Sequence, residues 1–126
     1  MTDLSQFPDP VYRDTVLAPL FDAAKRYYAG PVRAINRAHL VMLAETGIVD
    51  ATTAAALAGA LEAIDAELDL PSLAYTGEHE DYFFLVEAEL KRRLDADLAG
   101  ALHTARSRND MDHTVFKIVL RGRADT

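Results

Sequence analysis

Leu102-His103-Thr104-Ala105-Arg106-Ser107-Arg108-Asn109-Asp110 lies near the end of the 126-residue chain and combines a helix start with a dense set of polar groups. Ser107 and Asp110, three residues apart, form a Ser-x-x-Asp variant of the capping box, which predicts a helix that begins near Ser107. The acid falls in the first turn, where the helix dipole favours negative charge. A well-capped helix start is therefore one complete interpretation of this segment.

The same segment has a second interpretation, as an anion-binding site. Two arginines flank the predicted cap, an amide follows it, and a histidine and a threonine precede it: Arg106, Arg108, Asn109, His103 and Thr104. A helix start presents unpaired N–H groups to an anion, and an arginine can bind a carboxylate through two parallel hydrogen bonds. The spacing alone leaves both interpretations open.

The rest of the chain predicts an all-α fold of about five helices. Alanine and leucine are abundant, and apolar residues recur at spacings of three and four without convincing strand-like alternation. The predicted helices cover residues 11–28, 31–47, about 51–68, about 80–98, and the stretch from about 107. Residues 70–77 predict a loop. Residues 1–10 are expected to be extended or disordered, ahead of one helical domain at 11–126.

Prolines and glycines set the predicted helix boundaries. Pro19 is expected to kink or split the first helix. Gly30 is expected to end that helix, and Pro31 to open the second. Gly47 and Gly100 are expected to end the second and fourth helices.

Composition restricts the class of partner. Hydrophobic residues make up 50% of the chain and charged residues 26%, which is ordinary for a globular domain. The net charge of −7 argues against a nucleic acid or an anionic membrane surface as partner. The chain has no cysteine, which excludes disulfides and thiolate metal sites. With no apolar run long enough for a membrane helix, we expect a cytoplasmic protein.

Two histidines outside the opening segment are candidate ligands. His39 lies on the predicted apolar stripe of the second helix, so packing is favoured over ligation. His79 lies among the carboxylates of Glu78, Glu80 and Asp81, but adjacent residues do not share one helix face. We therefore predict no metal site.

Residues 102–110 closely resemble the first signature segment of the argininosuccinate lyases, a family of the fumarase/aspartase superfamily. That segment usually reads L-H-T-G-R-S-R-N-D, and this chain matches eight of the nine positions, with Ala105 in place of the glycine. Residues 38–48 resemble the family's A-H-x-x-M-L-x-x-x-G-I helix, and Glu80-Asp81 matches the first half of its E-D-I-H motif. The resemblance covers roughly residues 20–121.

The resemblance implies the N-terminal helical domain of that superfamily, truncated before the central helical bundle. It also implies a β-elimination in arginine biosynthesis that releases fumarate from argininosuccinate and leaves arginine. Five residues would bind the substrate, the first three at its carboxylates: Ser107, Arg108, Asn109, Asp81 and Thr104.

The resemblance further implies no cofactor and no metal, and a homotetramer whose active sites combine segments of three subunits. The family's catalytic serine and histidine would lie downstream of Thr126. The 126-residue chain by itself is therefore expected to lack activity.

Two departures from the family pattern concern the amine part of the substrate. Phe83 stands where the family has a histidine near the substrate, and residues 27–31 differ from the family's usual substrate-loop sequence. Losing a polar contact beside the amine would change which amine is released without altering the elimination. The alternatives are therefore a lyase for another N-substituted aspartate, or a truncated, non-catalytic helical module that associates with other subunits.

Overall fold

The computed structural model describes residues 8–79 and 81–126, and within them the fold is all-α with no strand. The helices are α1 (Pro10–Tyr12), α2 (Ala18–Tyr27), α3 (Ala29–Glu45), α4 (Ala51–Glu67), α5 (Tyr82–Arg93), α6 (Ala96–Ala101) and α7 (Arg108–Ala124). A π-helical stretch (Arg13–Leu17) joins α1 to α2, and a 3₁₀ turn (Leu70–Ser72) follows α4. The prediction of an all-α fold is confirmed.

The predicted extended N-terminus lies largely outside the described residues, which begin at Pro8. The helical part already starts at Pro10, because Asp9 caps it by accepting a hydrogen bond from the backbone N–H of Val11 at 2.9 Å. The helix changes from α to π geometry at Arg13 and back to α geometry at Ala18, and it is not split at Pro19. The wider π-helical turn ends at Leu17, and Pro19 lies directly after it in the first turn of α2.

The predicted boundary at Gly30 and Pro31 is wrong. The first helical stretch ends at Tyr27, and α3 already begins at Ala29. Gly30 and Pro31 both lie in the first turn of α3, where proline removes no intrahelical hydrogen bond. Tyr28 serves as the junction between the two helices.

The single helix predicted over residues 80–98 is divided into two helices, α5 and α6. The side chain of Asp95 accepts a hydrogen bond from the backbone N–H of Leu98 at 2.8 Å and caps α6. This local bond competes with continuation of α5, which ends at Arg93. Gly100 lies inside α6 and does not end the fourth helix.

The core lies between α3, α4, α5 and α7, and five of its side chains are almost completely buried: Leu43, Leu57, Ile64, Leu90 and Leu102. Each such side chain contributes about 1.5–3 kcal/mol through burial. Leu102, the first residue of 102–110, and Met111, near the start of α7, are both buried. The polar residues between them are therefore flanked on both sides by a buried apolar side chain. Within the described ranges, no helix has both the length and the apolar character needed to cross a membrane.

Candidate substrate-binding site

A complete capping box opens α7, as the sequence predicted. Ser107 Oγ accepts a hydrogen bond from the backbone N–H of Asp110 at 3.2 Å, and Asp110 Oδ2 accepts one from the backbone N–H of Ser107 at 3.1 Å. The second of these bonds holds the pKa of Asp110 below its ordinary value. The carboxylate is therefore ionised at neutral pH and stabilises the positive end of the helix.

The chain enters this cap through a left-handed residue. Ala105 has a φ of 60°, and no other non-glycine residue in the described ranges has a positive φ. The turn is closed by a hydrogen bond of 3.2 Å from the backbone N–H of Arg106 to the carbonyl of His103. A β-carbon in this conformation costs about 1–2 kcal/mol, whereas glycine adopts it without strain. The alanine found in place of the expected glycine is therefore a strained replacement.

Ala105→Gly is expected to raise the free energy of unfolding by about 0.5–1 kcal/mol, because relief of strain outweighs the added entropy of the unfolded chain. Urea unfolding of the protein measures the change. Ala55→Gly, on the exposed side of α4, is the matched control, and it should lower the free energy of unfolding by about 1 kcal/mol. A loss of stability in both variants would contradict the strain at Ala105.

An ion pair between Arg108 and Asp81 joins α7 to α5. Arg108 Nη2 donates to Asp81 Oδ2, while Asp81 Oδ1 accepts from the backbone N–H of Phe84 at 3.0 Å and caps α5. The guanidinium also lies over the Phe84 ring, 5.0 Å from its centroid, in a cation–π arrangement. Asp81 and Phe84 thus fix the direction of Arg108, whose side chain stays 38% exposed.

The structure brings together four of the five predicted substrate-binding residues. Arg108 contacts Asp81, and Ser107 and Asn109 flank Arg108 at the start of α7. Asn109 is exposed, and Ser107 Oγ can still donate its O–H proton while it accepts in the cap. Thr104 stands apart, since its hydroxyl donates to the carbonyl of Ala101 at 2.8 Å.

Arg106 does not join Arg108 as a candidate carboxylate ligand but turns towards α3. Its Nη1 donates to Asn36 Oδ1 at 2.9 Å, and its Nη2 lies 3.0 Å from His103 Nδ1. Burial lowers the pKa of Arg106. Burial and the neighbouring guanidinium lower the pKa of His103, so the neutral ring accepts from Arg106 through Nδ1.

His39 also belongs to this network, which the sequence analysis missed. Its Nε2 lies 2.9 Å from the carbonyl of Thr104, and because a carbonyl only accepts, this nitrogen carries the proton. The prediction that His39 packs on an apolar stripe therefore overlooked its polar contact. The available signal was the spacing of three between Asn36 and His39, which places both on one face of α3.

A cleft of about 400 Å³ opens beside Arg108. Its wall is mainly aromatic and aliphatic and includes Tyr12, Leu20, Tyr28, Val32, Phe83, Met111 and Phe116, while the charged or titratable residues Asp81, Arg108, Asp112 and His113 also line it. The Phe83 ring packs against the His103 ring with 5.3 Å between centroids, which links the cleft to the loop before α7. Across the described part of the chain, no group of three or more histidine, aspartate or glutamate side chains is placed to hold a metal ion.

The chain is similar in sequence to curated proteins that are named argininosuccinate lyase. The chain is 62% identical over 125 residues to "Argininosuccinate lyase 2" of Agrobacterium fabrum, covering 99% of this chain and 25% of that protein. It is 42% identical over 90 residues to "Argininosuccinate lyase" of Hyphomonas neptunium, covering 71% of this chain and 19% of that protein. No protein-family model and no solved structure matches the chain.

The chain is homologous to the N-terminal portion of the argininosuccinate lyases, as its signature segment predicted. A third relative, "Argininosuccinate lyase" of Maricaulis maris, is 41% identical over 88 residues, 70% of this chain and 18% of that protein. The chain thus spans a quarter or less of the length of these relatives.

Proposed function

We propose that this chain supplies the carboxylate-binding part of a lyase that releases fumarate from argininosuccinate and leaves arginine. One observation carries the proposal: Arg108 is held by Asp81 and Phe84 at the capped start of α7, with its guanidinium partly exposed. A fixed guanidinium beside a helix start suits a carboxylate, which an arginine can bind through two hydrogen bonds. The names of the three relatives support the reaction.

The proposed reaction is a β-elimination. A base removes a proton from the carbon next to one carboxylate, and that electron pair forms the double bond of fumarate. The C–N bond breaks, its electrons go to nitrogen, and the amine leaves with a proton from an acid. Negative charge builds on the carboxylate beside the deprotonated carbon, so donors already in place there lower the barrier.

Ser107, Arg108 and Asn109 fill the role of these donors. Serine, arginine and asparagine are poor proton carriers near neutral pH. The resemblance to the argininosuccinate lyases implies a catalytic serine and histidine downstream of Thr126, so we assign the base and the acid to groups outside these 126 residues. Of these three donors, only Arg108 lines the open cleft, which supports a site completed by other segments or subunits. The proposal accordingly includes a homotetramer without cofactor or metal, working in the cytoplasm, where a chain without cysteines is at no disadvantage.

Fumarate absorbance tests this function directly. The complete polypeptide that contains this chain is expected to release fumarate from argininosuccinate, whereas residues 1–126 alone are expected to release none. Release by residues 1–126 alone would contradict the assignment of proton transfer to other groups. No release by the complete polypeptide from any N-substituted aspartate would overturn the lyase and favour a non-catalytic helical module.

A second candidate substrate is an aspartate carrying another amine, and the position of Phe83 favours it. Phe83 lines the same cleft as Asp81 and Arg108, so a substituent of a dicarboxylate held by Arg108 could contact it. An apolar substituent gains from contact with the Phe83 ring, whereas a guanidinium placed against Phe83 gains no hydrogen bond from that residue. The elimination and the role of Arg108 are the same for both candidates.

A further inference from the structure

We propose that Asn36 and His39 on α3 are positioning residues that set the orientation of Ser107 and Arg108 for the substrate's carboxylate. The proposal rests on the function proposed above and concerns how the carboxylate-binding start of α7 keeps its shape. Neither residue lies at the cleft beside Arg108, so neither is expected to touch the substrate.

Asn36 contacts residues 102–110 through the side chain of Arg106. It is 5% exposed, and it is the one polar or charged side chain classed as buried in the described ranges. A buried amide is unfavourable unless it is hydrogen-bonded, and Asn36 Oδ1 accepts from Arg106 Nη1 at 2.9 Å. His103 lies 3.0 Å from the other terminal nitrogen of Arg106, so the guanidinium is held from two sides.

His39 contacts residues 102–110 through their backbone. Its Nε2 donates to the carbonyl of Thr104 at 2.9 Å. Asn36 and His39 share one face of α3, so a single rigid helix contacts the segment at both Thr104 and Arg106.

These two contacts lie on either side of Ala105, the left-handed residue. A strained backbone conformation persists only where the surrounding structure holds it in place, and the contacts from α3 provide that hold. Ser107 and Arg108 follow Arg106 directly in the chain. The direction in which they leave the turn therefore depends on the φ of Ala105, and through it on Asn36 and His39.

Loss of either contact should allow the turn to relax and displace the donors. A shift of about 1 Å in a positioned group can reduce turnover by about a hundredfold, so the consequence should be seen in substrate binding and catalysis. A residue that merely contributed to stability would lower the melting temperature and leave the affinity for fumarate unchanged. This difference separates the two roles.

The experiment uses the complete polypeptide and measures fumarate affinity by calorimetry together with steady-state KM and kcat. We expect Asn36→Ala and His39→Ala each to weaken fumarate binding and raise KM by about tenfold or more. His39→Gln should restore binding to within about threefold of the unmodified protein, because a glutamine amide can also donate to the Thr104 carbonyl. His39 lies outside the buried core, so its variants should fold even if Asn36→Ala does not.

Asp50→Ala is the matched control. Asp50 caps α4 through a hydrogen bond of 2.7 Å from the backbone N–H of Thr53, so its loss should lower the melting temperature without changing fumarate affinity. If His39→Ala behaves like Asp50→Ala, or His39→Gln binds no better than His39→Ala, the positioning role is wrong while the lyase stands. If the unmodified protein neither binds nor releases fumarate, the proposed function fails and this inference fails with it.

Discussion

Arg108→Ala is expected to lower kcat/KM of the complete protein for its N-substituted aspartate by about 10²- to 10³-fold, the usual effect of removing one donor from a developing anion. The expectation follows from the placement of the guanidinium by Asp81 on one side and by the Phe84 ring on the other. Initial rates of fumarate formation measure it. Because the Arg108 side chain is 38% exposed, the melting temperature should change little in comparison.

Two further variants distinguish the loss of a carboxylate contact at Arg108 from the loss of a positive charge. Arg108→Lys keeps the positive charge but loses the planar fork, so it should recover only part of the lost activity. Arg92→Ala is the matched control, since Arg92 is an exposed arginine on α5 that pairs with Glu89 at 2.7 Å. Equal losses in the Arg92 and Arg108 variants would point to the overall charge of the protein and would rule out the carboxylate contact.

Local rules predicted the parts of this structure that depend on residues close together in sequence. The capping box of Ser107 and Asp110 is formed as expected. Gly47 has a φ of 74° and follows the end of α3. In each case, the residues involved lie close together in sequence, so the local sequence pattern is enough to predict the feature.

The break between α5 and α6 shows where such rules compete with each other. The apolar spacing of Val86, Leu90 and Leu94 predicts one continuous helix, and burial of Val86 and Leu90 agrees with that spacing. The cap at Asp95 offers the backbone an alternative of similar free energy. Which alternative is more stable depends on how the following residues pack, and that information is not local.

The inward direction of Arg106 could not be predicted from sequence at all. Its contact with Asn36 joins residues 70 positions apart and depends on the packing of α3 against the end of the chain. In the sequence, Arg106 and Arg108 look equivalent, one on each side of Ser107. Only the left-handed turn at Ala105 and the burial of Asn36 distinguish the arginine that supports the segment from the arginine that can meet a substrate.

The substitution Phe83→His is expected to raise kcat/KM for argininosuccinate by about 10- to 100-fold, the contribution of one hydrogen bond to a charged group. The reason is the position of Phe83 in the lining of the cleft beside Arg108, because its ring offers no nitrogen or oxygen acceptor whereas an imidazole nitrogen can accept a hydrogen bond from a guanidinium. The same substitution should lower kcat/KM for N-benzylaspartate, whose ring suits the existing wall. Fumarate release from the two substrates gives the ratio.

The control for this change is Phe116→His, which introduces the same side chain at another position of the cleft lining, on α7. Phe116 is 58% exposed, so a histidine there can stay in water and should leave the ratio nearly unchanged. High activity of the unmodified protein on argininosuccinate would remove the argument from Phe83 and leave argininosuccinate as the substrate. Arg108 and Ser107 would bind the dicarboxylate that both compounds share. That outcome would therefore change only the role given to the apolar wall, which is contact with the amine substituent.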